Sequence, residues 1–166
     1  KMLFNSDFNI LIIATKQEVA KNLVTKVRYM NDNLPTWLKQ TAIEDNKLSL
    51  RYSNGSQIKA TSAAGDAGRS EALSLLVFDE AAFIDKIEDI WISSQSTLST
   101  GGSAIILSTP NGVGNFFHKT WVGAEEEENG FNTIRLHWSV HPERDQSWRD
   151  EQEVLLGTKG AAQECD

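Results

Sequence analysis

Short apolar runs recur along the chain, separated by stretches with helical spacing. Asn9-Ile10-Leu11-Ile12-Ile13-Ala14 is almost continuously apolar, the mark of a strand buried on both faces. Thr15-Lys16-Gln17-Glu18 follows in the pattern of a capping box, with Thr15 as N-cap and Glu18 at the third helical position. Val19, Leu23, Val27, Met30 and Leu34 then recur every three or four residues. They predict a helix with one stripe turned to a core, ended by Pro35. Leu48, Leu50 and Tyr52 alternate with Ser49 and Arg51, and Ser56 to Ala60 returns with Ile58 on the apolar face. Asn54-Gly55 between them predicts a two-residue hairpin turn with both positions at positive φ.

Thr61 to Ser70 (TSAAGDAGRS) is small and polar, hence a loop. Leu73 to Phe78 is a second buried strand, ending at Asp79-Glu80. Ile87, Ile90, Trp91 and Leu98 share one face of a helix over Lys86 to Ser99, which Thr100-Gly101-Gly102 stops. Ala104 to Ser108 makes a third buried strand, and Pro110-Asn111-Gly112 turns the chain into a short helix through Phe116, Phe117 and Trp121. Glu125 to Glu128 reads as a solvated loop or helix end. Thr133 to Trp138 alternates as a fourth strand, and from Asp145 onward the tail is mainly helix. Apolar strands separated by amphipathic helices predict an α/β fold: a mostly parallel sheet flanked by helices on both faces, with a β-hairpin inserted.

Length and composition narrow the class. The 166 residues make room for one domain of ordinary size, and the 40% hydrophobic share is that of a globular protein. The longest apolar run, Ala72 to Phe78, has seven residues and contains Ser74, against the ~20 a membrane span needs. Neither a secretory signal nor a disulfide framework is visible, Cys165 being the one cysteine. A soluble intracellular protein is expected. The net charge is −7, yet residues 1–83 carry 10 Lys/Arg against 9 Asp/Glu, while residues 84–166 carry 6 against 14. Wrapping of nucleic acid usually demands a basic excess, so any DNA contact is expected to be local, transient or shared with other parts of a larger protein.

The strongest chemical signal is Leu75-Leu76-Val77-Phe78-Asp79-Glu80. An apolar strand ending in Asp-Glu is the Walker B pattern of nucleoside triphosphatases. In an open α/β sheet ligands bind at the carboxyl ends of the strands, so both acids would face the crevice. Asp79 would hold Mg²⁺, through its waters, because that ion dehydrates reluctantly. Glu80 would orient the water that attacks the γ-phosphate. The plainer reading is a buried strand followed by acids at a helix start, where the dipole favours them. Ser108-Thr109-Pro110-Asn111-Gly112 ends the next strand, 29 residues after Asp79. Its hydroxyls could sense a γ-phosphate, or simply form a turn.

VFDEAAFI followed by LSTPNGVGNFFHKTW resembles the ATPase domain of the large terminase subunit, the DNA-packaging motor of tailed bacteriophages, in its T4-like branch. The NGS hairpin, the loop TSAAGDAGRSEA and Gln163-Glu164 extend the resemblance over nearly the whole chain. It implies a P-loop NTPase core of RecA/ASCE type, ATP and Mg²⁺ as cofactors, and hydrolysis coupled to translocation of double-stranded DNA into a procapsid. By position, Asp79 resembles the Walker B metal carboxylate, Glu80 the catalytic carboxylate, and Ser108 and Thr109 the coupling motif that contacts nucleotide. Arg69, ten residues before Asp79, lies where some large terminases place an arginine that reaches a neighbouring subunit's nucleotide. A surface ion pair is the alternative for it. The implied partners are DNA, the portal protein, the small terminase subunit and further copies in a ring, with no membrane, in the host cytoplasm.

One family feature is missing. No G-x-x-x-x-G-K-[ST] loop occurs; before Lys119-Thr120 the glycine positions hold Val113 and His118. Residues 1–166 are therefore expected to be a partial ATPase domain, with the Walker A strand upstream and the nuclease domain downstream, and to be inactive alone. A helicase-like translocase fragment and a P-loop-free binding module are the alternatives. The remaining signals have plainer readings. His137 and His141 have a metal-ligand spacing, but their alternation with apolar neighbours favours a strand. The tryptophans at 37, 91, 121, 138 and 148 could stack on bases or pack in the core. Lys16 sits where helicases contact DNA, and Asp85, Glu88 and Asp89 fit the first turn of a helix.

Overall fold

The computed structural model describes residues 1–63, 72–98 and 101–166, in two compact units, Lys1–Ser108 and Thr109–Asp166. The first is built on a six-stranded sheet. In chain order its elements are β1 (Asn9–Ala14), α1 (Gln17–Asp32), β2 (Ala42–Asp45), β3 (Ser49–Tyr52), β4 (Gln57–Ser62), β5 (Leu75–Asp79), α2 (Ile87–Leu98) and β6 (Ser103–Leu107). The spatial order is β2-β3-β4-β1-β5-β6. The four strands from β4 to β6 are parallel, and β2 and β3 extend the sheet antiparallel beyond β4.

The continuous apolar run of β1 is explained by its central place. Ile12 and Ala14 join Ala20 and Val24 of α1 and Leu50, Tyr52, Ile58 and Ala60 in one core. The alternate residues, Leu11 and Ile13, are buried beside Leu76 and Phe78, their register partners on β5. On that second face Trp91 of α2 meets Phe78 edge-on, with ring centroids 6.3 Å apart. The sheet is thus flanked by a helix on each face.

Four local expectations are corrected. Thr15 does not cap α1: the N-cap is Lys16, with no side-chain cap bond, and Glu18 pairs instead with Lys21 at 2.6 Å. The buried face of α1 centres on Ala20 and Val24, and Met30 is exposed. The second correction concerns the β3–β4 connection, which has four residues, 53–56, closed by Tyr52 N–H on Ser56 O at 2.9 Å and Gly55 N–H on Tyr52 O at 3.0 Å. Only Gly55 of its pair has a positive φ, +83°, and a Cβ there would also strike the Asp7 carboxylate. Asn54 serves another purpose, its amide donating to Met2 O at 2.7 Å and Asn5 O at 3.1 Å, which ties down the N-terminal segment. Nor is the hairpin an insertion, since β4 pairs with β1 and belongs to the parallel array.

The third correction concerns β6, expected to be buried. It pairs with β5 on one side, α1 packs on β4, β1 and β3, and Ile105 and Leu107 stay 48% and 43% exposed. The fourth concerns residues 133–138, which form no strand. Ile134 and Leu136 are exposed there, since alternation cannot hold a strand without a neighbour to receive its N–H and C=O groups.

The second unit holds α3 (Phe116–Glu125) and α4 (Gln146–Cys165). Asn115 and Asp145 cap them, each accepting a backbone N–H at 2.9 Å, from His118 and Trp148. α4 is broken at Gly157, whose φ of 73° and ψ of 162° are non-helical. Arg149, before the break, donates both Nε and Nη2 to the Asp166 carboxylate after it, each at 2.8 Å. Among the described residues no helix is long and apolar enough to cross a membrane.

Candidate active site

Parallel register brings three strand tips together in the first unit. Ile13 pairs with Phe78 and Asp79 with Leu107, so the residues that leave β1, β5 and β6 are neighbours at the carboxyl edge of the sheet. They are Thr15, Glu80 and Ser108. Asp79 is the last residue of β5. Glu80 follows in the left-handed region, φ 55° and ψ 46°, a conformation that a non-glycine residue adopts only when its surroundings hold it there. A 3-10 turn, Ala81–Phe83, follows. The Thr15 hydroxyl donates to Glu80 Oε2 at 3.4 Å, a long bond, and the Ser108 hydroxyl accepts from Ala82 N–H at 3.1 Å.

The electrostatics suit a cation. Partial burial pushes the Asp79 carboxyl above its ordinary value, and the neighbouring charge of Glu80 adds to the rise. Lys26 and the Glu80 backbone N–H pull it down by less. Two adjacent carboxylates, one partly desolvated and neither paired with a lysine or arginine at bonding distance among the described residues, form a donor set that a hard divalent ion would relieve. The left-handed backbone at Glu80 turns the chain sharply directly after Asp79.

A family model described as "Terminase large subunit, T4likevirus-type, N-terminal" matches residues 1–163. The chain belongs to that family. Among solved structures, the large terminase ATPase domain of Thermus phage P74-26 is similar at a TM-score of 0.70 and 25% identity, over 98% of this chain and 77% of that one. The large terminase of another thermophilic bacteriophage has a TM-score of 0.72 at 12% identity, over 93% of this chain and 39% of that one. The same thermophilic-phage terminase in complex with ATP-γ-S has a TM-score of 0.70 at 11% identity, over 93% of this chain and 38% of that one. The fold is that of terminase ATPase domains, and the helicase-like alternative gives way to this membership.

Of the terminase site residues expected from sequence, Asp79, Glu80 and Ser108 come together in the first unit. Thr109 is the first residue of the second unit, and Arg69 lies outside the described residues. Thr15, expected only as a helix cap, instead touches Glu80 across 65 residues of chain. Its signal was its place directly after an apolar strand, as Asp79-Glu80 and Ser108 follow theirs. His137 and His141 are engaged locally: His137 Nδ1 lies 2.8 Å from Ser139 Oγ, and His141 Nδ1 accepts from Glu143 N–H at 3.2 Å. Trp91 packs on Phe78, whereas Trp138 and Trp148 lie against each other with centroids 6.2 Å apart.

Proposed function

We propose that this chain carries the acidic half of the nucleotide site of a phage DNA-packaging motor. The observation that carries the reading is the left-handed Glu80, next to the partly desolvated Asp79, at the carboxyl edge of a parallel sheet in a terminase family member. Asp79 would hold Mg²⁺, and Glu80 would orient and polarise the water that attacks the γ-phosphate. Mg²⁺, when bound, offsets charge on the phosphates. Ser108 and Thr109 form the segment that couples the state of the nucleotide to movement, and Arg69 serves a neighbouring subunit's site. The capture of the second thermophilic-phage terminase with ADP and with ATP-γ-S supports a nucleotide as the ligand.

The phosphate cradle comes from a Walker A strand upstream of Lys1 in the full-length protein. The half-exposed Ile105 and Leu107 of β6 support this, because an added strand and its helix would cover them. The partners are double-stranded DNA, the portal protein, the small terminase subunit and further copies in a ring, in the host cytoplasm. Residues 1–166 alone do not turn over ATP. The test is Glu80→Gln in the full-length protein. Nucleotide binding is retained and kcat falls by about 10²–10⁴-fold, the range for losing a positioned acid or base. Undiminished turnover would overturn the reading, as would Mg²⁺-dependent phosphate release by residues 1–166 alone for the claim of inactivity.

A further inference from the structure

We infer that Ser108 is a positioning residue for Glu80, acting through the backbone and not by touching the nucleotide. The inference rests on the reading of Glu80 as the residue that orients water. Glu80 stands at φ 55° and ψ 46°, and the turn after it keeps it there. Phe83 N–H closes on Glu80 O at 2.9 Å, Ile84 N–H closes on Ala81 O at 3.3 Å, and Ala81 is buried. Within that turn, Ala82 N–H donates to Ser108 Oγ at 3.1 Å. Ser108 follows Leu107, which is in register with Asp79, so the accepting oxygen is placed by the same ladder that places the acids.

The chain of causes is short. The β5–β6 pairing fixes Ser108, its oxygen holds the Ala82 amide, and the held turn keeps a non-glycine residue in a conformation it otherwise avoids. Without the acceptor, the turn loses the bond that ties it to β6, and the backbone at Glu80 is held less firmly, which lets the carboxylate shift. A displacement of about 1 Å in a reacting group can cost ~10²-fold in rate. Because the hydroxyl accepts here, threonine retains the function, whereas alanine and cysteine, the latter a weak acceptor, lose it.

The experiment uses the full-length protein with its P-loop. Ser108→Ala, Ser108→Thr, Glu80→Gln and the Ser108→Ala/Glu80→Gln pair are compared in kcat and in Kd for a fluorescent ATP analogue. Ser108→Ala is expected to lower kcat by about 10–100-fold with Kd unchanged, and Ser108→Thr to restore turnover. In the Glu80→Gln background, Ser108→Ala is expected to cost nothing further, since residues acting as a unit are not additive. Should the alanine variant fail to fold, Ser108→Cys gives the same reading. Loss of nucleotide affinity in Ser108→Ala, or a multiplicative loss in the double variant, would overturn the proposal and make Ser108 a nucleotide contact. Undiminished turnover in Glu80→Gln alone would instead remove the reading of Glu80, and this proposal with it.

Discussion

Two aspartates, one in each unit, are driven in opposite directions. Asp79 ends β5 partly desolvated beside another acid, and its carboxyl is pushed up. Asp166 follows α4, and the Arg149 guanidinium bonded to it holds its carboxyl below the ordinary value. Arg149 is itself buried, and it also reaches Glu153 at 3.4 Å, while Arg135 donates to the Asp166 backbone carbonyl at 2.9 Å. The difference separates a carboxylate that works for the fold from one that works against it. A structural acid is given its cation by the chain itself. In the site proposed above Asp79 is left without one, a cost that a bound cation would offset.

Breaking the clasp is expected to have the larger effect on stability. Arg149→Ala leaves a carboxylate without its partner and frees the two halves of α4, so thermal denaturation of the second unit shifts down clearly. The pH dependence fixes the cause. A carboxyl with a lowered folded value stabilises the fold above its unfolded value, 3.8, and that stabilisation is lost as pH falls through the lowered value. Acid melts of the wild type should therefore converge on those of Arg149→Ala as pH falls. Parallel curves would show that packing, not the ion pair, is what Arg149 supplies.

Asp79→Asn should move the other way. Removing a charge that burial and Glu80 both disfavour raises stability at neutral pH by less than about 1 kcal/mol, because water screens a half-exposed group. The same change abolishes Mg²⁺-dependent turnover in the full-length protein. A destabilised variant would mean that the carboxylate is a structural acid after all. The smallest effect is expected at Thr15. Loss of an N-cap costs ~0.5–2 kcal/mol, but α1 starts at Lys16 without a side-chain cap bond, so Thr15→Ala should cost less than about 0.5 kcal/mol. A chemical-denaturation curve at the upper figure would restore the capping role.

The parallel strands were legible because burial on both faces leaves a continuous apolar run, as in β1 and β5. β2 was not legible: Ala42-Ile43-Glu44-Asp45 is exposed throughout and carries neither alternation nor a run. Thr15 was misassigned because Thr-x-x-Glu spells a capping box and a strand tip with the same letters, and only the register with β5 decides between them. Residues 133–138 show the converse, an alternation that sequence displays and no neighbour completes. At the site, Asp79, Glu80 and Ser108 could be named from strand-end patterns. The left-handed backbone at Glu80 and the bond from Ala82 to Ser108 could not, since glutamate carries no signal for positive φ and the bond joins residues 26 positions apart.

The place of β1 in the sheet bears on how the chain is made. β1 is a central strand whose two neighbours, β4 and β5, both follow it in the chain, with Ile10 opposite both Ile58 and Leu75. At about 5–20 residues per second the ribosome needs several seconds to travel from β1 to the end of β5. For that interval a bare apolar strand with two open edges waits for partners, the condition in which chains mispair with one another. A segment largely buried in the finished molecule is thus exposed in the nascent one, and a chaperone that holds extended apolar segments would find its target at Ile10–Ile13.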